Sequence, residues 1–374
     1  MRKGVHGLGM RVLEVCFADG SGGLELYAAH TSRALQARGH DVLTLTTEDT
    51  LFARRCSRPS REAAPRGALR RWRLLRRALN EFRPDILHLH HRVDFALCSL
   101  ACRLAGRQRP ALVYHRHMEL PASPKKDWYH RQLYARVDLL IAVTERIRRT
   151  AVEMLPLAPE RIVALHAGAP GLDGPAPAVD RAGCRLRVGS FSRIEPRKGQ
   201  DTLIRALGRL KRDGYPVQLA LAGQVHDPDY YRSLQLLAEA EDVADQIEYL
   251  GFLDQPQTEM ARCDVNLHAA EIETFGLVII ESMRVGVPVI AAESGGVTEI
   301  LRDGDNGLLY APGDDAALAV HLRRLMEFPA EREQLARRAS EDAAGRFSTE
   351  AHYDRLEAHF AALLPAPPAT GAAA

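Results

Sequence analysis

Two glutamates eight positions apart, Glu273 and Glu281, stand in a stretch from 271 to 299 that is rich in chemistry. A carboxylate accepts hydrogen bonds from the hydroxyl groups of a ligand. Thr274, Phe275, Gly276 and Leu277 can open a helix between the two acids, and residues 278–283 can continue it. Gly286 suits a left-handed helix end. Residues 287–292 read as a buried strand, and Ser294-Gly295-Gly296 turns the chain into a second helix near Val297. Helix starts at strand ends offer N–H groups and a positive dipole end to an anion such as phosphate. Glu273 then precedes the first helix and Glu281 lies about two turns inside it. Taken alone, the same spacing also describes an ordinary helix with two acids.

Two cations could complete an anion site. Arg193 and Lys198 flank Pro196 in a loop after the apolar run at 186–191. Arg offers a rigid fork of donors to phosphate, and Lys offers a mobile point charge. Arg197, beside them, reads as solvated. A second group of candidates is histidine-rich. His88, His90 and His91 follow one strand-like run, and His115 and His117 close another. Ligands bind at the carboxyl ends of strands in open parallel sheets. A metal site there requires these imidazoles to converge, which spacing alone does not establish.

The elements that must position these residues alternate in type. Residues 11–18 form a strand, 19–23 a glycine loop, 24–38 a helix and 41–46 a second strand, a βαβ opening that implies a parallel sheet. The loop does not fit G-x-G-x-x-G, because Glu25 occupies the third glycine position. Runs at 86–90, 111–117, 138–143 and 162–168 continue the rhythm. Residues 173–180 are rich in Pro and Gly and read as an interdomain linker. Strands at 186–191, 217–222 and 247–252 and helices beyond 314 build a second half, and 365–374 has the composition of a disordered tail.

Whole-chain properties bound the class. A length of 374 residues suggests two domains. Apolar and charged fractions of 46% and 26% are those of a globular protein, and a net charge of +2 gives no general attraction to nucleic acid. Six cysteines are scattered without a C-x-x-C pair, so a structural zinc site is not expected and a reducing cytosol is. No apolar run approaches the ~18 residues of a membrane span. The first ten residues lack the apolar core of a signal peptide and read as a short leader.

The full string of Glu273-x-Phe275-Gly276, Glu281, Gly286-Val287-Pro288-Val289-Ile290 and Gly295-Gly296 resembles the retaining glycosyltransferases of family 4. So do Gly22-Gly23-x-Glu25 before a helix and the segment Asp138 to Glu145, with Thr144 in place of the family's Ser. The resemblance covers roughly residues 11–364 and is densest over 186–313. It implies an α/β chain of the GT-B fold, with two Rossmann-like doubly wound domains facing a central cleft. The acceptor-side domain would be 11–172, the linker 173–183 and the nucleotide-sugar domain 184–345. A helix at 346–364 would cross back, and 365–374 would be tail.

The resemblance further implies a nucleotide-diphosphate sugar as co-substrate, no cofactor, no metal, and a glycan or lipid-linked acceptor, including lipopolysaccharide. Arg193 and Lys198 would clamp the diphosphate with Gly22, Gly23, Gly223 and the backbone of Phe275, Gly276 and Leu277. Glu281 would bind ribose hydroxyls, Glu273 would face the sugar near the reacting carbon, and His117 would contact the transferred sugar, with His115 as its competitor. The chain departs from the family at Ala167, where Asn is usual, at Gln224, and at His268-Ala269, where Pro-Ser is usual. A nucleotide-sugar epimerase of the same fold and a non-catalytic binder are the other classes open.

Residues 53–83 stand apart. Eleven arginines face two glutamates, a local charge of +9, and Leu69, Trp72, Leu75, Leu79 and Phe82 form one helical stripe. Such a helix at 66–83 either rests peripherally on an anionic membrane, at the inner face of the cytoplasmic membrane, or packs on its own domain with a solvated Arg face.

Overall fold

Most strands are short apolar runs of four to six residues buried on both faces, and the least buried, Ile162–Ala164 and Ile247–Gly251, lie at sheet edges. That pattern belongs to parallel sheets covered by helices. The computed structural model describes residues 9–18, 23–47, 50–57, 67–106, 109–120, 123–172 and 186–365. Gly22, the linker at 173–183 and the tail beyond Pro365 lie outside the described residues. The chain divides into two units, one of residues 1–167 with 350–374 and the other of 168–349.

The first unit is a six-stranded parallel sheet. Its strands are β1 (Arg11–Cys16), β2 (Asp41–Thr46), β3 (Ile86–Leu89), β4 (Ala111–Arg116), β5 (Leu139–Ala142) and β6 (Ile162–Ala164). They lie in the order β2-β1-β3-β4-β5-β6, so the winding reverses between β1 and β3. The last helix, Thr349–Ala361, belongs to this unit: Tyr353, Leu356 and Phe360 pack with Val12, Ile86, Val113 and Ile141 in one core. Glu357 ties it down by accepting from Arg38 and meeting His40 Nε2 at 3.0 Å.

The second unit repeats the plan with β7 (Leu186–Phe191), β8 (Val217–Ala222), β9 (Ile247–Gly251), β10 (Val265–His268), β11 (Val289–Ala292) and β12 (Leu308–Tyr310). The order β12-β11-β10-β7-β8-β9 places the reversal between β7 and β10. Helix Gln200–Arg212 covers the sheet with Leu203, Leu207 and Leu210, and helix Asp315–Glu327 with Leu318, Leu322 and Leu325.

Two local readings change, and a third, left open between lipid and domain packing, gains its packing partners. The helix after Glu273 runs Leu277–Arg284 and does not begin at Thr274. The N–H groups of Thr274 and Phe275 are taken by the Glu273 carboxylate at 3.0 and 3.4 Å, and Gly276 sits at φ +94°, outside the helical region. The strand read at 287–292 starts at Val289, because Val287 N–H closes the helix on Ser282 O and Pro288 has no N–H to give. The basic helix, Ala68–Phe82, buries Leu74, Leu75, Ala78, Leu79 and Phe82 in its own unit. Arg71 meets Asp94 at 3.6 Å and Arg77 donates to Glu81 at 2.8 Å. Most of the stripe that could have entered a lipid surface therefore packs on the domain, leaving Leu69 exposed. Among the described residues no helix is long and apolar enough to cross a membrane.

Candidate functional site

In the second unit the loops that leave β7, β10 and β11 meet at the reversal of strand order, where open α/β sheets bind ligands. Three contacts stitch them together. Glu271 N–H donates to Arg197 O at 3.2 Å, Gly296 N–H donates to Glu273 O at 3.0 Å, and Ser294 Oγ donates to Ala270 O at 2.8 Å. Two glycines permit the approach. A Cβ on Gly199 would lie 2.2 Å from Ala269 O, and one on Gly295 would lie 1.8 Å from Glu273 O. Both glycines also have positive φ.

At this junction Lys198 Nζ donates to Glu273 Oε2 at 2.9 Å, and His268 Nε2 lies 3.2 Å from the same oxygen. Burial alone would raise the Glu273 carboxyl. The His268 imidazole and the Lys198 ammonium outweigh it and hold Glu273 well below the usual carboxylate range. Glu281 is in the opposite environment. It sits in the fifth position of helix Leu277–Arg284, half-buried, and its polar contact is Gln257 Nε2 at 3.2 Å. Burial pushes its carboxyl up to about 7, against the weaker pull of Gln257.

The remaining expected donor contacts are distributed unevenly. The Arg193 guanidinium pairs with Glu195 at 3.0 Å and stays about two-fifths exposed, so the structure does not bring it to the Lys198–Glu273 pair. Its loop is shaped from below by Gln200, whose Nε2 donates to Ser192 Oγ and Arg193 O at 3.0 and 2.8 Å. Gly223 is where β8 crosses the loop after β7, since a Cβ there would lie 1.8 Å from Ser192 O. The Phe275 ring is buried and packs edge-on to Phe347, so only its backbone faces outward chemistry. Leu277 is half-buried at the helix start. Gly23 opens helix Gly23–Ala37 with open space around its α-carbon.

The first unit carries a second polar centre at its own reversal point. Glu14 on β1 is a register partner of His88 on β3. Its carboxylate meets His88 Nδ1 at 3.0 Å and His90 Nε2 at 2.6 Å. His88 Nε2 lies 3.2 Å from His115 Nδ1, and His90 Nδ1 lies 3.3 Å from His117 Nε2. Tyr27 Oη donates to His352 Nε2 at 2.8 Å, whose Nδ1–H donates to His166 O. His88, His90 and His115 converge closely enough for a metal to be considered, with ligand atoms within 4.8 Å of one another. His115 is fully buried, whereas His117 is half-buried, so of the two competitors His117 is the reachable one.

Sequence reasoning missed Glu14, Gln200, Gln257 and the reach of His268. Glu14 was detectable as a lone acid in an otherwise apolar strand. The others depend on how loops distant in sequence meet, which no local pattern encodes.

Two α/β units, each with polar side chains gathered where its strand order reverses, define a doubly wound α/β protein with candidate ligand sites at its strand ends. Residues 183–342 match the model of glycosyl transferases group 1, and residues 21–170 match that of glycosyltransferase family 4. The chain belongs to this glycosyltransferase family. It is 34% identical over 167 residues to the lipopolysaccharide core biosynthesis glycosyltransferase LpsE of Rhizobium meliloti, spanning 45% of this chain and about half (47%) of that one. It is 27% identical over 381 residues to D-inositol 3-phosphate glycosyltransferase 1 of Catenulispora acidiphila, with 90% of each chain covered. Its backbone follows the crystal structure of Anabaena Alr3699/HepE in complex with UDP-glucose, with a TM-score of 0.79 and 23% identity over 94% of this chain and all of that one. The fold is GT-B.

The environment of Glu281 yields a pH prediction. A carboxyl raised from 4.5 to about 7 in the folded chain binds a proton that the unfolded chain has lost. Its stabilising contribution is present below pH 4.5 and is lost as pH rises through about 7. Glu281→Gln should remove that slope, leaving the variant more stable than the parent at pH 8 by on the order of 2–3 kcal/mol. Urea unfolding at pH 5 and pH 8 checks this; equal pH dependence in both proteins refutes it.

Proposed function

We propose that this chain is a retaining glycosyltransferase that moves a sugar from a nucleotide-diphosphate donor to a glycan or lipid-linked acceptor in cell-surface glycan synthesis. The half-buried Lys198–Glu273 pair beside a helix start carries the reading. An ammonium has three donors, and Glu273 occupies one of them. The others are available to a diphosphate, whose charge grows as its bond to the sugar breaks. Backbone N–H groups at Gly276 and Leu277 would share that charge, so leaving-group stabilisation is electrostatic and preorganised, and the scheme requires neither metal nor cofactor. Arg193 joins the diphosphate by leaving Glu195, a rearrangement its exposure permits.

Glu273, kept ionised by its neighbours, is suited to face the sugar as positive charge develops at the reacting carbon. Glu281 is suited to ribose hydroxyls, which do not change during reaction. His117 is suited to contact the transferred sugar. Two relatives support the donor and acceptor classes: the HepE structure contains UDP-glucose, and LpsE is named for lipopolysaccharide core synthesis. A nucleotide-sugar epimerase would share the diphosphate contacts, and would convert donor to its epimer with no acceptor present.

With a donor chosen from UDP-, GDP- and ADP-sugars by thermal shift, Lys198→Ala should lower transfer about 10- to 150-fold, the loss of one charge-assisted hydrogen bond. Arg197→Ala should change it little. Comparable losses at both positions would undo the assignment, and epimer formed from donor alone would replace transferase by epimerase.

The two carboxylates should separate kinetically. Glu281→Gln removes binding common to ground and transition states, so KM for donor should rise more than kcat falls. Glu273→Gln removes charge needed as the bond breaks, so kcat should fall with a smaller change in KM. Circular dichroism must match the parent, because Glu273 also holds the turn at Thr274 and Phe275. A near-normal kcat in Glu273→Gln at saturating donor contradicts this placement.

A further inference from the structure

The Glu14 centre contains more order than burial of a polar cluster requires. Glu14, His88, His90 and His115 are almost completely inaccessible. Burial would raise the Glu14 carboxyl, but His88 and His90 outweigh it and hold it down to about 2, so it is an ionised, acceptor-only group. The ring nitrogens facing it must therefore donate. His90 is pushed down to about 4, chiefly by burial, so it is neutral and has one N–H to give. That proton lies on Nε2, 2.6 Å from Glu14. His90 Nδ1 then carries a lone pair and accepts from His117 Nε2, 3.3 Å away. His117 is itself held neutral by burial and by the neighbouring imidazoles. Its one proton points inward, and its Nδ1 is left as an acceptor.

We propose that Glu14 is a positioning residue: acting through His90, it fixes the tautomer of His117 so that this half-buried imidazole presents Nδ1 as a hydrogen-bond acceptor to its ligand. Where that ligand is taken to be the transferred sugar, the inference rests on the function proposed above; the relay itself does not. A metal on His88, His90 and His115 is the rival account of the same cluster. Nitrogen ligands at about 2.0–2.1 Å in a tetrahedral site lie about 3.3 Å apart. The ligand atoms here spread to 4.8 Å, and the close nitrogen pairs are already accounted for by hydrogen bonds.

The topology also says what removing the charge would do. Gln at position 14 has one carbonyl and one NH2, so one of the two facing rings must become an acceptor. The His88 arm ends at His115, whose Nε2 is buried without a hydrogen-bond partner among the described residues. A proton displaced along that arm would be stranded. The His90 arm ends at half-buried His117, where a displaced proton reaches Nδ1 with less desolvation. The flip should therefore run outward through His90, turning the outer nitrogen of His117 from acceptor to donor.

Ring 15N spectra of the full chain labelled at histidine read the tautomers directly, with His117 assigned by its loss in His117→Gln. The parent should show His117 protonated on Nε2. Glu14→Gln should move the proton to Nδ1, while Glu14→Asp and His88→Gln should leave it in place. Donor kcat/KM should fall about 10-fold in Glu14→Gln and recover in Glu14→Asp, the scale of one hydrogen bond. Should Glu14→Gln not fold, His90→Phe removes the inner acceptor and should leave His117 a mixture of tautomers. An unchanged His117 spectrum in these variants, a parent already protonated on Nδ1, or one equivalent of tightly held zinc in the purified protein would overturn the relay. A tautomer flip with unchanged donor kinetics leaves the relay standing and overturns only the placement of His117 against the sugar.

Discussion

The contact between Lys198 and Glu273 sets the conditions for the second unit. A carboxylate largely withdrawn from water stays ionised only with compensating charge and donors. Glu273 therefore needs Lys198, His268 and its own turn amides at one point. These groups come from the loop after β7, the end of β10 and the loop that follows it, and the loop after β11 braces the Glu273 backbone. Each approach is closer than a side chain allows, and so Gly199 and Gly295 stand where the loops cross. The reversal of strand order between β7 and β10 opens the crevice that these loops line. Electrostatics, loop geometry and topology thus constrain one another, and no one of them could change without the others.

The two glutamates that looked equivalent in sequence are separated by this arrangement. Glu273, beside the Lys198 ammonium and the His268 imidazole, is fixed in the charged form. Glu281, on a helix with an amide as its polar neighbour, has its carboxyl pushed up to about 7 and so is only partly ionised near neutral pH. A group poised in that way accepts hydroxyls when ionised and can be discharged by modest acidification. The same residue type therefore supplies a permanent charge at one end of the proposed donor site and a weakly held one at the other. The difference comes entirely from what surrounds each carboxyl.

Much of this architecture was legible in the chain. Apolar runs of four to six residues ending in Gly or polar residues gave the parallel strands, and the family motifs singled out Lys198 and Glu273, which the structure brings together. Local misreadings had local causes: the helix after Glu273 starts late because a side chain captures its first amides, and Pro288 shortens the following strand. Arg193 illustrates a different limit. Its position in the loop is evident from sequence, but its pairing with Glu195 is a choice between side chains that only coordinates reveal. The stripe on helix Ala68–Phe82 illustrates a third limit. Periodicity reports that a face is apolar, not whether lipid or the rest of the domain covers it, and here the domain covers most of it.

Glu14 and its histidines extend the comparison to the first unit. Strand register dictates that Glu14 and His88 stand side by side, and the two-residue period of a strand brings His90 to the same face. His115 and His117 project likewise from β4, two strands from β1. A sheet interior filled with hydrocarbon would be simpler and at least as stable, because a buried ionised group contributes little once its desolvation is counted. What such a group does supply is direction. An acceptor-only carboxylate leaves a facing neutral imidazole one choice of tautomer, and a hydrogen-bonded chain passes that choice along until it reaches a side chain that is half open to solvent. In the second unit a half-buried ion pair holds a cation and a carboxylate in register. In the first, buried charge is used to decide which nitrogen of a distant ring carries the proton.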